Sequence, residues 1–127
     1  MVNDSIGDLL IRIKNGYLAR LKVVITRHSN IKEALAHLLE KLGYVGTVEL
    51  EPKTRVLTIN LRYSNGLPVM VGVKRVSKPG LRRYFKRRDL DTLHEVGHMI
   101  LSTPKGLKTH QEAKREGIGG EVVCIIW

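Results

Sequence analysis

The segment Gly97–Trp127, GHMILSTPKGLKTHQEAKREGIGGEVVCIIW, decides how this chain reads. Met99-Ile100-Leu101 is an apolar run of strand length, and the character changes abruptly at Ser102-Thr103-Pro104-Lys105-Gly106. Thr109 followed three residues later by Glu112 has the form of a capping box, and Gly117 stands where a left-handed helix C-cap is expected. Val122-Val123-Cys124-Ile125-Ile126 is rich in β-branched residues and reads as a strand buried on both faces. The segment therefore predicts a buried strand, a polar loop, a short capped helix and a final buried strand. In the loop, two adjacent hydroxyls donate and accept hydrogen bonds, Lys105 adds a point charge, and Gly106 lets backbone approach a ligand closely. That set suits a phosphate–sugar backbone or the edges of an unstacked base. On spacing alone it suits an ordinary strand–loop–helix connection equally well.

Upstream, Ile6, Leu9, Leu10, Ile13 and Tyr17 fall on one helical face, with Asn3, Asp4 or Ser5 as caps and Gly16 near the end. The polar face of this helix carries Arg12, Lys14 and Asn15. Val23-Val24-Ile25 reads as a strand. Ser29 or Asn30 then caps a second helix whose stripe is Ile31, Ala34, Leu35, Leu38, Leu39 and Leu42, closed by Gly43. Lys32 lies in its first turn, where the helix dipole disfavours a cation, so it is either merely solvated or close to an anion. From Val45 to Arg75 the period changes to two. Val48 and Leu50 alternate, Pro52-Lys53 turns, and Leu57, Ile59, Leu61 and Tyr63 share a face. Asn65-Gly66 marks a hairpin before a strand at Val69–Val73. The order implies an α+β fold with helices packed on one face of a sheet.

The chain of 127 residues carries 22 Lys and Arg against 12 Asp and Glu, a formal charge of +10. Eight of those charges lie in the stretch Lys74–Arg88, which holds no acidic residue, so the rest of the chain is only slightly basic. Like charges this dense repel one another unless a polyanion screens them, so the stretch points to nucleic acid rather than to a merely solvated face. Pro79-Gly80 turns inside it, and Tyr84 offers a ring and a hydroxyl. Aromatic residues make up only 5%, which argues against an extended base-stacking platform. A hydrophobic content of 43% supports a real core. The lone Cys124, among apolar neighbours, reads as a packed thiol in a reducing compartment. No apolar run reaches the ~20 residues of a membrane helix. Met1-Val2-Asn3-Asp4 carries neither an apolar signal stretch nor an Arg-rich transit segment, so export is not expected.

His94-Glu95-Val96-Gly97-His98 spells the H-E-x-x-H pattern of zinc hydrolases, which needs both histidines on one continuous helical face. Gly97 weakens such a helix, and the strand expected from Met99 puts His98 beyond its end. Neither Walker loop nor dinucleotide fingerprint nor Ser-His-Asp order is recognisable. A free-standing regulator of double-stranded nucleic acid is a third reading, but no dimerising heptad or helix-turn-helix spacing favours it.

Several ordered motifs together carry a resemblance. Val76-Ser77-Lys78-Pro79-Gly80-Leu81-Arg82-x-Tyr84 is followed by Gly97, then by Ile100-Leu101-Ser102-Thr103-x-Lys105-Gly106, Glu112-Ala113 and Gly119-Gly120-Glu121-Val122-Val123-Cys124. Asp4-x-Ile6-x-Asp8-x-Leu10-x-Arg12-Ile13-Lys14-Asn15 and Gly43-Tyr44 belong to the same pattern. Over essentially its whole length the chain resembles the bacterial-type small-subunit ribosomal protein S-eight family.

The resemblance implies two subdomains, an N-terminal α+β part at 1–65 and a C-terminal, mostly β part with a short helix at 66–127. It implies a non-enzymatic constituent of the ribosome, with no cofactor and no metal. Such a protein binds the central domain of small-subunit rRNA early in assembly, beside small-subunit proteins five and twelve. Some members also repress translation of their own operon mRNA. A bacterial-type cytoplasm is the expected location, with an organellar ribosome as the alternative. Carried over by motif, the expected RNA contacts are Ser102, Thr103, Lys105, Gly106, Tyr84 and Glu121, with Lys78 and Arg82 in the basic stretch and Arg12, Lys14 and Lys32 in the N-terminal part. Three departures stand out. Pro104 replaces a third hydroxyl and removes a side-chain donor together with a backbone N–H. His28 and Asn30 stand where the family has a proline and a lysine, and Ser5 replaces a proline.

Overall fold

The computed structural model describes residues 4–77, 84–85 and 97–127, the pair 84–85 by its backbone alone. The chain divides into two units, one spanning Asp4–Val71 and the other containing Gly72–Trp127.

In the first unit, α1 (Ser5–Leu18) begins at Asp4, whose carboxylate accepts the Gly7 N–H at 3.0 Å. Its periodic face, Leu9, Leu10, Ile13 and Tyr17, is buried as the spacing requires. After β1 (Val23–Arg27), α2 (Asn30–Leu42) starts from Ser29, which accepts the Lys32 N–H, and ends at Gly43 in the left-handed region. The buried arc of α2 is Leu35, Ala36, Leu38 and Leu39, whereas Ala34, assigned to the stripe from sequence, is exposed. Both alanines flank the leucine arc, and so small a side chain gives the periodicity too little signal to choose between them.

β2 (Val48–Glu51) and β3 (Val56–Asn60) complete an antiparallel sheet of order β1-β3-β2. Leu57 and Ile59 of the central strand are fully buried, and Val24 and Thr26 lie beside them in register. Tyr17 locks this unit together: its hydroxyl donates to the Tyr44 carbonyl at 2.6 Å and accepts the Arg62 N–H at 3.1 Å. The Asn65-Gly66 turn joins β4 (Tyr63–Ser64) to β5 (Leu67–Pro68), with both turn residues at positive φ as a type I′ turn demands. The strand expected at Val69–Val73 does not form. Its residues divide between the units: the Val69 N–H donates to the Arg62 carbonyl at 3.2 Å beside the β4–β5 hairpin, whereas Gly72 exchanges both backbone hydrogen bonds with Trp127, at 3.0 and 3.1 Å, and leads into β6 (Val73–Arg75) in the second unit.

The second unit is built on β10 (Gly120–Ile126), which pairs with β6, with β7 (Tyr84–Phe85) and with β8 (His98–Thr103). β9 (Gly106–Thr109) adds to β8, and every pairing is antiparallel. α3 (His110–Glu116) closes one face, where Ala113 packs with Met99, Leu101 and Val122. Its capping box is complete: Thr109 accepts from the Glu112 N–H, and Glu112 accepts from the Thr109 N–H. The register slips by one residue between Val122 and Cys124, so Val123 is the extra residue of a β-bulge. Cys124 is fully buried, and burial pushes its thiol pKa up to about 12, so it is an inert packing group. The architecture is mixed α+β, with two N-terminal helices on a short sheet and a C-terminal β-rich part bearing a short helix.

Where α1 crosses β1 the backbones come close. A Cβ on Gly16 would lie 2.6 Å from Val24 Cγ2 and 3.0 Å from Leu61 Cδ1. Gly16→Ala gains about 1 kcal/mol of helix propensity. It also forces an overpacked contact that costs about 1–3 kcal/mol. Val24 is β-branched and held in a strand, so it has little room to move. A net loss of stability is expected in urea unfolding, and a gain would show that the helix–strand crossing yields.

Candidate nucleic-acid interface

The hydroxyl-bearing stretch is not a loop before a helix. β8 runs through Thr103, and Thr103 pairs with Gly106, which leaves only Pro104-Lys105 at the tip of a β-hairpin. One hydroxyl ties that tip with two hydrogen bonds. Thr103 Oγ1 donates to the Gly106 carbonyl at 2.7 Å and accepts the Lys105 N–H at 3.1 Å. Pro104 occupies the first turn position, where its fixed φ is an advantage and no ladder N–H is required, and Gly106 follows at φ +104. The departure that removes a donor thus stiffens the turn that presents Lys105.

A strand sends successive side chains to opposite faces, so the two neighbouring hydroxyls separate. Thr103 turns inward, 9% exposed, and is engaged by the turn, while Ser102 is exposed. Ser102 stands directly across from Glu121 of β10 on one side and Leu107 of β9 on the other. Glu121 in turn is in register with Tyr84 of β7. Three expected contact residues from three separate motifs therefore line up in one cross-strand row, Tyr84–Glu121–Ser102, with Lys105 and Gly106 at the adjacent hairpin end.

Gly120 makes the row possible. A Cβ there would collide with the Ser102 carbonyl oxygen and lie 3.1 Å from Thr103 Cγ2. The sequence marked Gly119-Gly120-Glu121 only as a motif, and the pair of glycines inside a strand pattern was the signal of close backbone approach. Lys108, on the opposite face of β9 from Leu107, is 3.6 Å from Glu116 of α3. His110 accepts the Met99 N–H at its Nδ1, 3.1 Å away, and burial holds its pKa below the ordinary value, so it is a neutral link from α3 to β8.

Lys78 and Arg82, with Pro79-Gly80 and the basic residues Arg83 and Lys86 to Arg88, lie outside the described residues, as do His94 and Glu95. His98 opens strand β8, so the continuous helix that a zinc H-E-x-x-H requires does not run through it. Among the described residues no cluster of His, Cys, Asp or Glu has the arrangement to hold a metal.

In the first unit, Arg12 and Lys14 are exposed on α1, and Arg12 pairs with Asp8 at 3.1 Å. Lys32 behaves differently. Its side chain is only 12% exposed, and its ammonium lies 2.8 Å from Asp8 Oδ2 and 3.0 Å from Thr26 Oγ1. The anion its helix position called for is supplied from α1 by the chain itself, and the charge ties α2 to α1 and β1. His28, at a family-variant position, bridges Glu33 (2.7 Å) and the Arg55 guanidinium (2.9 Å), so it is tied into the fold by its own neighbours.

The family model for ribosomal protein S8 matches residues 4–127. The chain belongs to that family. Its relatives share the match over nearly their full lengths. A small ribosomal subunit protein uS8 from Chloroflexus aurantiacus is 44% identical, covering 99% of this chain and 98% of its own. One from Streptococcus pneumoniae is also 44% identical, with 100% and 99% covered, and one from Legionella pneumophila is 41% identical, with 97% and 98% covered. A ribosomal protein of the small subunit accounts for both the basic surplus and the fold. No helix among the described residues is long and apolar enough to cross a membrane.

Two substitutions test the geometry. Thr103→Val leaves the Lys105 N–H and the Gly106 carbonyl without their partner at the turn. A loss of about 0.5–1.5 kcal/mol per bond is expected, since both groups belong to exposed turn residues. Ser102→Ala, at an exposed position, should change stability by less than about 0.5 kcal/mol. Equal destabilisation in urea titrations would contradict the two-faced placement. For Asp8, the hydrogen bond from Lys32 is the largest influence and Arg12 adds to it, and together they hold the carboxyl below its ordinary value of 3.8. A lowered folded-state pKa gives stability that is present above the ordinary value and lost as the pH falls through the lowered one. Asp8→Asn should therefore be less stable than the native chain at neutral pH, by on the order of 1 kcal/mol given the solvent exposure of Asp8. The two stability curves should converge in acid, below 3.8.

Proposed function

We propose that this chain binds the central domain of small-subunit rRNA directly and helps the subunit to assemble, with no enzymatic step. The observation that carries the reading is the cross-strand row Tyr84–Glu121–Ser102 beside the Lys105–Gly106 hairpin tip. It sits in the same unit as the acid-free basic stretch Lys74–Arg88. A two-residue hairpin tied by Thr103 presents Lys105 from a backbone that is already ordered, so binding has only its side chain left to fix. Ser102 donates or accepts at a 2′-hydroxyl or base edge, and Glu121 accepts from a base amino group or a 2′-hydroxyl. Such neutral and acceptor groups read shape and groove edges, while Lys78, Arg82 and Lys105 contribute phosphate contacts that carry no sequence information.

Arg12 and Lys14 add backbone contacts from α1. Thr103 and Lys32 act one step back, Thr103 by fixing the hairpin and Lys32 by fixing α2. The expected surroundings are small-subunit proteins five and twelve in a bacterial-type cytoplasmic ribosome. The same surface would take a similar fold in the operon's own mRNA.

The test is binding to a transcript of the rRNA central domain across a salt series, with a random RNA helix as control. Alanine at Lys78, Arg82 and Lys105 together should weaken binding to both RNAs. The log–log salt slope should flatten by about 0.7–0.9 for each phosphate that is no longer neutralised. Ser102→Ala should weaken the cognate complex and leave the control unchanged. Wild-type affinity and slope in the triple variant would reduce the basic stretch to ordinary surface.

A further inference from the structure

The joint between the end of α1 and the β4–β5 hairpin carries apolar side chains that the fold does not bury. Leu18, the last residue of α1, is 74% exposed; Leu21 is 48% exposed and Leu67, at the hairpin, 63%. They are not scattered. Tyr63 donates its hydroxyl to the Leu21 carbonyl at 2.7 Å, and the Arg20 guanidinium bonds the Gly66 carbonyl, one residue before Leu67. The same guanidinium lies over the Tyr63 ring, 5.9 Å from its centre, and Tyr63 meets Tyr17 edge-on. The joint is thus rigid, with three leucines around a fixed cation. Exposed apolar side chains gathered in this way mark an interaction surface, whereas single ones need no explanation.

The charge around the leucines has one sign. No Asp or Glu occurs from Leu9 to Lys32 or from Pro52 to Val71, the two segments that build the joint. Lys22 is exposed nearby, and among the described residues neither it nor Arg20 has a carboxylate partner. A basic rim alone would suit RNA. Three exposed leucines do not, because phosphate and ribose give them nothing to pack against, whereas a protein partner with an apolar centre buries them.

We propose that this joint is a docking surface for a neighbouring protein segment that sets acidic residues around an apolar anchor. Arg20 and Lys22 meet the carboxylates, and Leu18, Leu21 and Leu67 receive the anchor. The surface lies in the unit Asp4–Val71, whereas the Ser102–Glu121 row belongs to the other. This rests on the reading of the chain as a working part of the small subunit.

The experiment places the photo-crosslinking residue p-benzoylphenylalanine at position 18 or 67 of the full chain, assembles it into small subunits, irradiates, and identifies the partner by mass spectrometry. Crosslinks from both positions to one acidic segment of a neighbouring protein are expected. A double Leu18→Asp, Leu67→Asp chain should lower retention of that neighbour by roughly tenfold, as for the loss of central anchors. It should still bind the rRNA transcript as the native chain does. Crosslinks to rRNA, to a second copy of this chain, or to nothing in subunits that contain the labelled chain overturn the docking surface alone. Absence of the native chain from the subunits overturns the ribosomal reading, and the docking surface with it.

Discussion

The second unit depends on the close passage of β10 past β8 at Gly120. With no side chain at that residue, the strand runs against the Ser102 carbonyl, and the next residue, Glu121, falls opposite Ser102. Any side chain at Gly120 would push the strands apart at the row where the polar groups gather. Two residues later the bulge at Val123 shifts the register, so the remainder of β10 continues as core, with Cys124 opposite Ile100. One strand therefore serves two purposes: its start sets the half-buried Glu121 opposite Ser102 and its end fills the interior.

The first unit uses charge differently. A lysine in the first turn of α2 opposes the helix dipole, and the fold answers with Asp8 from α1 and the Thr26 hydroxyl from β1. This ammonium is a clamp among three elements, and its partial burial is tolerable because its partners are both charged and hydrogen-bonding. Arg12 shares the same carboxylate from a more exposed position. Basic residues of one sequence pattern thus divide by tertiary setting into those held by the protein and those offered to solvent.

Stiffness recurs at both surfaces of interest. At the Pro104-Lys105 tip, the proline fixes a dihedral and Thr103 satisfies the turn's donor and acceptor. At the α1–hairpin joint, Tyr17 and Tyr63 anchor the hairpin beneath Arg20. In each case a cation stands on a base that has already lost its freedom, which lowers the entropy that binding must overcome.

The elements of the fold were legible in the chain because their signals are local. The helical stripes of α1 and α2, the Asn65-Gly66 turn, the capping box at Thr109 and the left-handed glycines at 43 and 117 each follow from a few neighbouring residues. The motif set also fixed the family, since so many ordered matches do not coincide by chance. Strand lengths were not legible at their polar ends. Ser102-Thr103 looks like a loop until β9 and β10 supply its partners, and Val69–Val73 looks like one strand although Val69 bonds to Arg62 in the first unit and Gly72 to Trp127 in the second. Hydrogen bonds between strands are made by residues far apart in sequence, so only the tertiary structure could decide that Ser102 faces out while Thr103 faces in. For the same reason only the folded chain brings Glu121 beside Ser102 and the backbone of Tyr84 beside Glu121, and gives Lys32 to Asp8.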